Sequence, residues 1–318
     1  MLLVPLLCVV AAAAPEVVAP DGGEIPAVSP GLADKVAPAL APERSEAASD
    51  GGLSDAGAPL VVADPTLTVY DVDLPIEAAV TAASGGLYVF VDYLIKPTLE
   101  GDVQCELVAG HCDPARLSGF DRYSVGRHSR EWQVFSDVAL VGAMVLPILY
   151  LGFESFALPT VSPWRDFAND LLIVAESLSL AGAFQTVLKF AIRRPRPGWY
   201  DGSENSNGFD SELSFPSGHT MLVASATTAL TMTVFLRHPK APLRWVVLGA
   251  GAALTALTAL ARVEAGAHFP TDVIVASFLG AFTGFIVPYL HKKELPVVPT
   301  GGINPLDGSG SIGVSGRF

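Results

Sequence analysis

Residues 212–225 read ELSFPSGHTMLVAS, which places a Pro-Ser-Gly-His tetrapeptide at the start of a long apolar run. No charged residue follows between Thr220 and Leu236. A proline is well tolerated in the first turn of a helix, so the run predicts a buried or membrane helix with His219 at its beginning. A single histidine in such a position usually has a structural role. A functional role requires partners elsewhere in the chain.

The composition indicates a membrane protein or a densely helical core. Half of the 318 residues are hydrophobic, only 16% are charged, and the mean hydropathy is +0.45, which is too apolar for an average soluble domain. The formal net charge is −13. Residues 15–73 hold 11 acidic and 2 basic residues, or −9 of that total, so the rest of the chain carries only −4. No basic face stands out, which argues against a nucleic-acid partner.

Five segments have the length and composition of membrane spans, which need roughly 17–25 residues. Residues 75–95 are a weaker sixth candidate, because they contain Glu77, Asp92 and a Gly-Gly pair. The sequence therefore predicts an all-α helical bundle, a polytopic membrane protein with five or six transmembrane helices. The five stronger segments are Val138–Phe153, Leu171–Leu188, Thr220–Leu236, Trp245–Ala261 and Val273–Leu290.

The chain divides by composition into five parts. The opening MLLVPLLCVVAAAAPE resembles the apolar core and cleavage region of a signal peptide, although a basic n-region is missing. The next part has the Ala-, Pro- and acid-rich composition of a disordered linker. The predicted parts are 1–14, a signal peptide or N-terminal apolar segment; 15–70, the linker; 71–134, an N-terminal helix and Cys-containing loop; 135–290, the catalytic domain; and 291–318, a Gly/Pro-rich tail.

Basic residues predict the orientation of the spans. The connection 237–244 and the residues 291–293 are basic, so the positive-inside rule places both in the cytoplasm. The ends near 189–219 and 262–272 then lie outside. A cleaved signal peptide agrees with this orientation only if 75–95 does not cross the membrane, which lowers the rank of that segment. In an exported loop, Cys105 and Cys112 would form a disulfide; two free thiols are the alternative.

Three polar clusters converge on the predicted outer side, at the ends of neighbouring apolar segments. They read LKFAIRRPRP, PSGH and ARVEAGAHFPTD, and their cations are Lys189, Arg196 and Arg262. A single basic residue at a helix end is usually an interface anchor. Three cations with two histidines and a carboxylate suit phosphoryl transfer instead, since a phosphate needs fixed positive charge and donors around its equatorial oxygens.

The remaining polar groups supply the other functions of such a site. Gly218 allows the backbone to approach an anion, and Ser217 adds a hydroxyl donor. One histidine can attack phosphorus while Asp272 holds its other nitrogen, and the second histidine can protonate the departing oxygen.

The clusters Lys189-x6-Arg196-Pro197, Pro216-Ser217-Gly218-His219 and Arg262-x5-His268-x3-Asp272 resemble the three-part signature of the type 2 phosphatidic acid phosphatase / vanadium haloperoxidase superfamily. The resemblance covers about 135–290. It implies an all-helical core and metal-free, cofactor-free hydrolysis of phosphomonoesters or diphosphates through a phosphohistidine. It makes His268 the nucleophile, Asp272 its partner and His219 the general acid. Phosphate ligands would be Lys189, Arg196, Ser217, Gly218 and Arg262.

One residue departs from the family pattern. Ala261 stands where the family usually has Ser before the arginine of the third part. This removes a supporting hydrogen bond but no catalytic group.

The sequence is compatible with four interpretations of the function. The first is a phosphatase of the bacterial cell membrane, with an extracytoplasmic active site and a lipid phosphate or small phosphomonoester as substrate. The alternatives are a soluble periplasmic acid phosphatase of the same superfamily, a vanadium-dependent haloperoxidase, and a non-enzymatic membrane protein whose anion pocket has decayed.

Overall fold

The computed structural model describes residues 69–99, 103–203, 209–293, 298–303 and 310–315. The predicted signal peptide 1–14 and nearly all of the predicted linker 15–70 lie outside the described residues, as does part of the tail.

The described chain is built mainly from helices. The first helix continues through a π-helical turn, Phe90–Ile95, into a 3₁₀ turn, Lys96–Thr98. Two short antiparallel hairpins complete the fold. The helices are α1 (Leu74–Val89), α2 (Arg130–Ala157), α3 (Pro163–Ile192), α4 (Gly198–Asp201), α5 (Gly218–Arg237), α6 (Leu243–Glu264) and α7 (Pro270–His291), and the strands are β1 (Leu107–Val108), β2 (His111–Cys112), β3 (Val298–Ile303) and β4 (Gly310–Ser315).

The helices begin where the sequence provides starting signals. The Asp73 side chain accepts a hydrogen bond from the Ile76 N–H at the start of α1, and Ser129 does the same for Trp132 in α2. Pro163 and Pro270 occupy the first positions of α3 and α7, where the missing N–H costs no helical hydrogen bond. The predicted helical segments therefore all form, each extended by several residues.

Six of the described helices are long and apolar enough to cross a membrane, which confirms the all-α, polytopic fold. Their outer faces carry large exposed apolar side chains, such as Val138 at 65%, Trp245 at 58% and Phe278 at 73% exposure. Such a continuous apolar exterior suits lipid and not water. The six spans are Leu74–Thr98, Arg130–Ala157, Pro163–Ile192, Gly218–Arg237, Leu243–Glu264 and Pro270–His291.

Residues 75–95, the lowest-ranked candidate, are helical and belong to the segment Leu74–Thr98, which is long and apolar enough to cross a membrane. They form α1 and its continuation, and the charges that counted against them have partners: Glu77 pairs with His291 and Asp92 with Lys96. α1 packs against α3, where Gly182 leaves room for an aromatic ring. A Cβ at Gly182 would lie 2.8 Å from the ring of Tyr88.

Helix α5 lies at the centre of the bundle. Its densest contact is with α7, and that contact depends on two glycines. A Cβ at Gly280 would lie 2.1 Å from the carbonyl oxygen of Met221, and one at Gly284 would lie 2.3 Å from that of Ser225. The two backbones therefore approach closely, which fixes the start of α5 beside the start of α7.

The chain enters and leaves the bundle at the same end. The Asp71 N–H donates to the His291 carbonyl at 2.7 Å, and the Lys293 N–H donates to the Val69 carbonyl at 2.9 Å. If all six helices cross, residues 69–73 share a side with 237–244 and 291–293. A cleaved signal peptide and the orientation predicted from the basic residues then exclude each other.

A disulfide joins Cys105 to Cys112, with 5.7 Å between their Cα atoms. It closes the β1–β2 hairpin, which packs against α4. A Cβ at Gly202 would lie only 2.4 Å from the imidazole of His111.

Candidate active site

A cavity of about 560 Å³ lies where the end of α3 and the start of α5 meet the end of α6. It brings together six of the residues that the sequence predicted as site residues. They are Lys189, Arg196, Gly218, His219, Arg262 and His268.

His268 precedes α7 and is only 2% exposed. Its Nδ1 lies 2.6 Å from the carbonyl oxygen of Ser214, and because a carbonyl only accepts, Nδ1 carries the proton. Burial, together with the charges of Arg196 and Arg262, lowers the pKa of His268 well below its ordinary value. The imidazole is therefore neutral, and the lone pair on Nε2 is its free nucleophilic position.

Asp272 does not hold His268 directly. Its Oδ2 lies 3.9 Å from Nδ1, beyond hydrogen-bond distance. Oδ2 instead accepts bonds from the Ser214 hydroxyl at 2.5 Å and from the Phe269 N–H at 2.9 Å. The carboxylate therefore fixes Ser214 and the start of α7, and Ser214 in turn orients the histidine through its carbonyl.

Arg194 holds Asp272 from the other side. Its Nη1 donates to Asp272 Oδ1 at 2.5 Å and its Nη2 to Asp121 Oδ2 at 2.9 Å. The guanidinium also lies 4.0 Å from the centre of the Phe269 ring. The sequence pointed to Arg196 in the stretch RRPRP and offered no signal that Arg194 would bind the buried carboxylate.

The three predicted cations reach the cavity from different elements. Lys189 and Arg262 are each 5% exposed. Arg262 donates through Nη1 to the Ser136 hydroxyl at 3.2 Å, while its buried Nε has no hydrogen-bond partner within the described part of the chain. An arginine with an unused donor is prepared to bind an anion.

Arg196 is paired with Asp210, a residue that sequence reasoning missed. Its Nη2 donates to Asp210 Oδ2 at 2.8 Å, and its Nε donates to the Asp210 carbonyl at 2.9 Å. Lys96, at the end of the first span, donates to Asp210 Oδ1 at 2.8 Å. Partial burial would raise the pKa of Asp210, but Arg196 and Lys96 outweigh it and hold the pKa well below its usual range.

His219 is the second histidine of the cavity. Its Nε2 lies 2.8 Å from Oδ1 of Asp137, on α2. A carboxylate accepts this bond only if Nε2 carries a proton, so Asp137 keeps a proton on the nitrogen that faces it. No spacing in the sequence linked these residues, since they lie on separate helices.

Comparison with known proteins places the chain in a family. Residues 170–296 match the profile of the PAP2 superfamily, a range that contains all three predicted clusters. A decaprenylphosphoryl-5-phosphoribose phosphatase of Mycobacterium tuberculosis (strain ATCC 25618 / H37Rv) is 30% identical over 162 residues, covering 51% of this chain and 72% of the relative. The chain belongs to the PAP2 superfamily. The resemblance drawn from the three clusters is thus confirmed.

Two further relatives have been identified. A decaprenylphosphoryl-5-phosphoribose phosphatase of Mycolicibacterium smegmatis (strain ATCC 700084 / mc(2)155) is 35% identical over 103 residues, covering 32% of this chain. This chain spans only half of that relative, 50% of its length. The crystal structure of a transmembrane PAP2-type phosphatidylglycerolphosphate phosphatase from Bacillus subtilis aligns with 66% of this chain and 93% of its own, at 21% identity and a TM-score of 0.41. The expected enzyme class, a phosphoric monoester hydrolase, agrees with the names of the two mycobacterial relatives.

Two residues of this PAP2 chain that were predicted as phosphate ligands have distinct positions. Gly218 lines the cavity, and a Cβ there would lie 2.4 Å from the Gln185 amide oxygen. Ser217 is fully buried, and its hydroxyl lies 3.1 Å from that of Thr220. Either hydroxyl can be the donor in this contact, so Ser217 can accept from Thr220 and keep its own proton for an anion. Ala261, the departure from the PAP2 pattern, is fully buried beside Arg262.

Proposed function

We propose that the protein is a PAP2 phosphatase that hydrolyses the phosphate ester of a membrane lipid through a phosphohistidine on His268. The observation that carries this proposal is the neutral, buried imidazole of His268 in one cavity with Lys189, Arg196 and Arg262. A nucleophile without charge beside three fixed cations fits an anionic electrophile. Phosphate monoesters and diphosphates have that character.

In the first step, Nε2 of His268 attacks phosphorus and the bond between phosphorus and the ester oxygen breaks. His219 enters this step as the imidazolium, with its Nε2 proton held by Asp137; it gives its second proton, from Nδ1, to the departing oxygen, so that a neutral alcohol leaves. In the second step, His219 takes a proton from water as that water attacks phosphorus, and the phosphorus–nitrogen bond breaks. Inorganic phosphate leaves, and both histidines return to their starting states.

The cations stabilise the charge that spreads over the three equatorial oxygens during both steps. Arg196 and Arg262 offer planar donor pairs, and Lys189 a compact charge. Asp210 occupies the Arg196 fork at 2.8 Å, so substrate phosphate has to compete with this carboxylate. The protein side chains supply the positive charge, and we propose that the reaction needs no metal ion and no cofactor.

Apolar side chains in the cavity lining support a lipid substrate. Tyr88, Leu140, Val141 and Met144 line the cavity from α1 and α2, and the outer faces of the helices are apolar. The mycobacterial relatives are named for a lipid-linked sugar phosphate, which makes a polyprenyl-linked phosphosugar the first substrate to test. The apolar exterior favours this function over that of a soluble periplasmic acid phosphatase.

We further propose that the cavity opens on the extracytoplasmic side. The end of α3 and the starts of α5 and α7 lie at the cavity, whereas 237–244 and 291–293 lie at the other end of these helices. Those basic segments favour the cytoplasm.

Phosphate release from a substrate panel tests the proposal. Purified protein in detergent is given a polyprenyl-linked phosphosugar, phosphatidic acid and p-nitrophenyl phosphate, with and without EDTA or orthovanadate. We expect the lipids to be hydrolysed faster, vanadate to inhibit, EDTA to have no effect on the rate, and Arg262→Gln to lose activity while Arg116→Gln, on the exposed loop, retains it. Loss of activity in EDTA that Mg²⁺ restores would contradict the proposed mechanism.

A further inference from the structure

A second polar cluster lies inside the bundle, far from the cavity. It consists of Glu77 at the start of α1, Glu176 in α3 and His291 at the end of α7. Glu176 and Lys189 are 13 residues apart on one helix, which corresponds to about 20 Å. The catalytic proposal uses none of these three residues.

The orientation of His291 is that of a metal ligand. Its Nδ1 lies 2.8 Å from the carbonyl oxygen of Val287, so Nδ1 carries a proton and the Nε2 lone pair is directed away from the helix. Nε2 faces two carboxylate oxygens, Glu77 Oε1 at 3.1 Å and Glu176 Oε2 at 3.9 Å. A backbone carbonyl on the remote nitrogen is the usual way in which proteins orient a metal-binding imidazole.

Glu176 has a ligand atom without a partner. The residue is only 4% exposed, and its buried Oε2 has no hydrogen-bond partner among the residues that the structure describes. This is the oxygen that faces His291. A proton on Nε2 would satisfy Glu77 at 3.1 Å and leave Glu176 unsatisfied at 3.9 Å. A buried carboxylate oxygen without a hydrogen bond is costly, particularly inside a membrane span.

We propose that Glu77, Glu176 and His291 bind a divalent cation of the zinc class, which ties the first, third and last membrane helices together. The ligand atoms lie within 4.8 Å of one another, whereas donors about 2.0–2.2 Å from one tetrahedral zinc lie about 3.4 Å apart. Small rotations of the three side chains would therefore bring them to one ion. One imidazole nitrogen and two carboxylate oxygens are donors that suit Zn²⁺. Two negative charges and one Zn²⁺ sum to zero, which removes the cost of the buried carboxylates. The site is structural and lies outside the reaction.

Zinc binding to the full-length protein tests this inference directly. The protein is purified in detergent with an affinity tag that contains no histidine, stripped with EDTA, reloaded with Zn²⁺ and desalted. Bound zinc is measured by mass spectrometry and thermal stability by unfolding of the same samples. Glu176→Gln and His291→Asn are the test variants. Asp71→Asn is the matched control, since Asp71 is an exposed carboxylate at the same end of the bundle.

Wild type and Asp71→Asn should retain about one more Zn²⁺ per chain than the test variants, and zinc should raise their Tm by several degrees. X-ray absorption of the wild-type complex should show nitrogen and oxygen ligands at about 2.0–2.2 Å. Equal zinc retention by wild type and both test variants, with no zinc-dependent change in Tm, would overturn the inference. A His268→Ala protein should bind zinc normally, so failure of the metal site and failure of the proposed reaction are distinguishable.

Discussion

Replacing Asp272 by Asn tests how the buried carboxylate acts on His268. The imidazole is neutral at rest and gains positive charge as Nε2 bonds to phosphorus, so the carboxylate stabilises the transition state more than the ground state. The charge and Nδ1 are 3.9 Å apart, and at an effective dielectric constant of about 20 their attraction is about 4 kcal/mol. Each 1.36 kcal/mol is about tenfold in rate. We therefore expect Asp272→Asn to lower kcat about 10³-fold.

Ser214→Ala separates this electrostatic effect from a positional one. It removes the 2.5 Å hydrogen bond to Asp272 but keeps both the charge and the Ser214 carbonyl that orients His268. Loss of one hydrogen bond to a charged group costs about 1.5–3 kcal/mol of stability. Because the charge on Asp272 remains in place, we expect kcat to stay within about tenfold of wild type. Steady-state kinetics below the Tm of each variant give both values. A kcat for Asp272→Asn above a tenth of wild type, or an equal loss in both variants, would refute the reasoning.

Three further predictions concern pH, the phosphate site and orientation. Burial and the nearby arginines lower the pKa of His268, so the nucleophile stays neutral below pH 6.5, and the acid limb of the pH profile of kcat/KM should lie below that value. An acid limb at or above about 6.5, the ordinary pKa of histidine, would contradict this. Asp210→Asn should lower the Ki of orthovanadate about fivefold, since it removes a competing carboxylate worth about 1 kcal/mol from Arg196; a higher Ki would mean that Asp210 positions the arginine. In whole cells, Ser203→Cys should react with a membrane-impermeant thiol reagent and Lys240→Cys should not, and the reverse pattern would place the cavity in the cytoplasm.

The helices and the main site residues were predictable from local signals. Long uncharged segments predict spans regardless of their neighbours, and Pro270 predicts the start of α7. The three clusters lie at the ends of such segments, so their convergence follows from antiparallel packing. Lys189 and His268, which are 79 residues apart in the sequence, were therefore expected to lie close together. Both line one cavity.

The partners of these residues were not predictable, because they depend on contacts between distant elements. Asp137 lies on the second span and meets His219 on the fifth helix. Lys96 directly follows the segment 75–95, which was the weakest candidate span, and it reaches Asp210 because that segment forms a helix beside α3. Arg194 carries the same guanidinium group as Arg193 and Arg196, so the sequence does not distinguish it from them. Only the fold brings Arg194 to Asp272.

The central claim is that His268 carries the phosphoryl group during hydrolysis. Its most direct test is a rapid-mixing experiment with a polyprenyl-linked phosphosugar that is labelled in the terminal phosphate. The reaction is stopped with alkali, in which phosphohistidine survives, and the peptides are then examined by mass spectrometry. We expect label on His268 of the wild type, up to one phosphate per chain, and none in His268→Ala. Label on any other residue, or an active enzyme that never carries label, would contradict it.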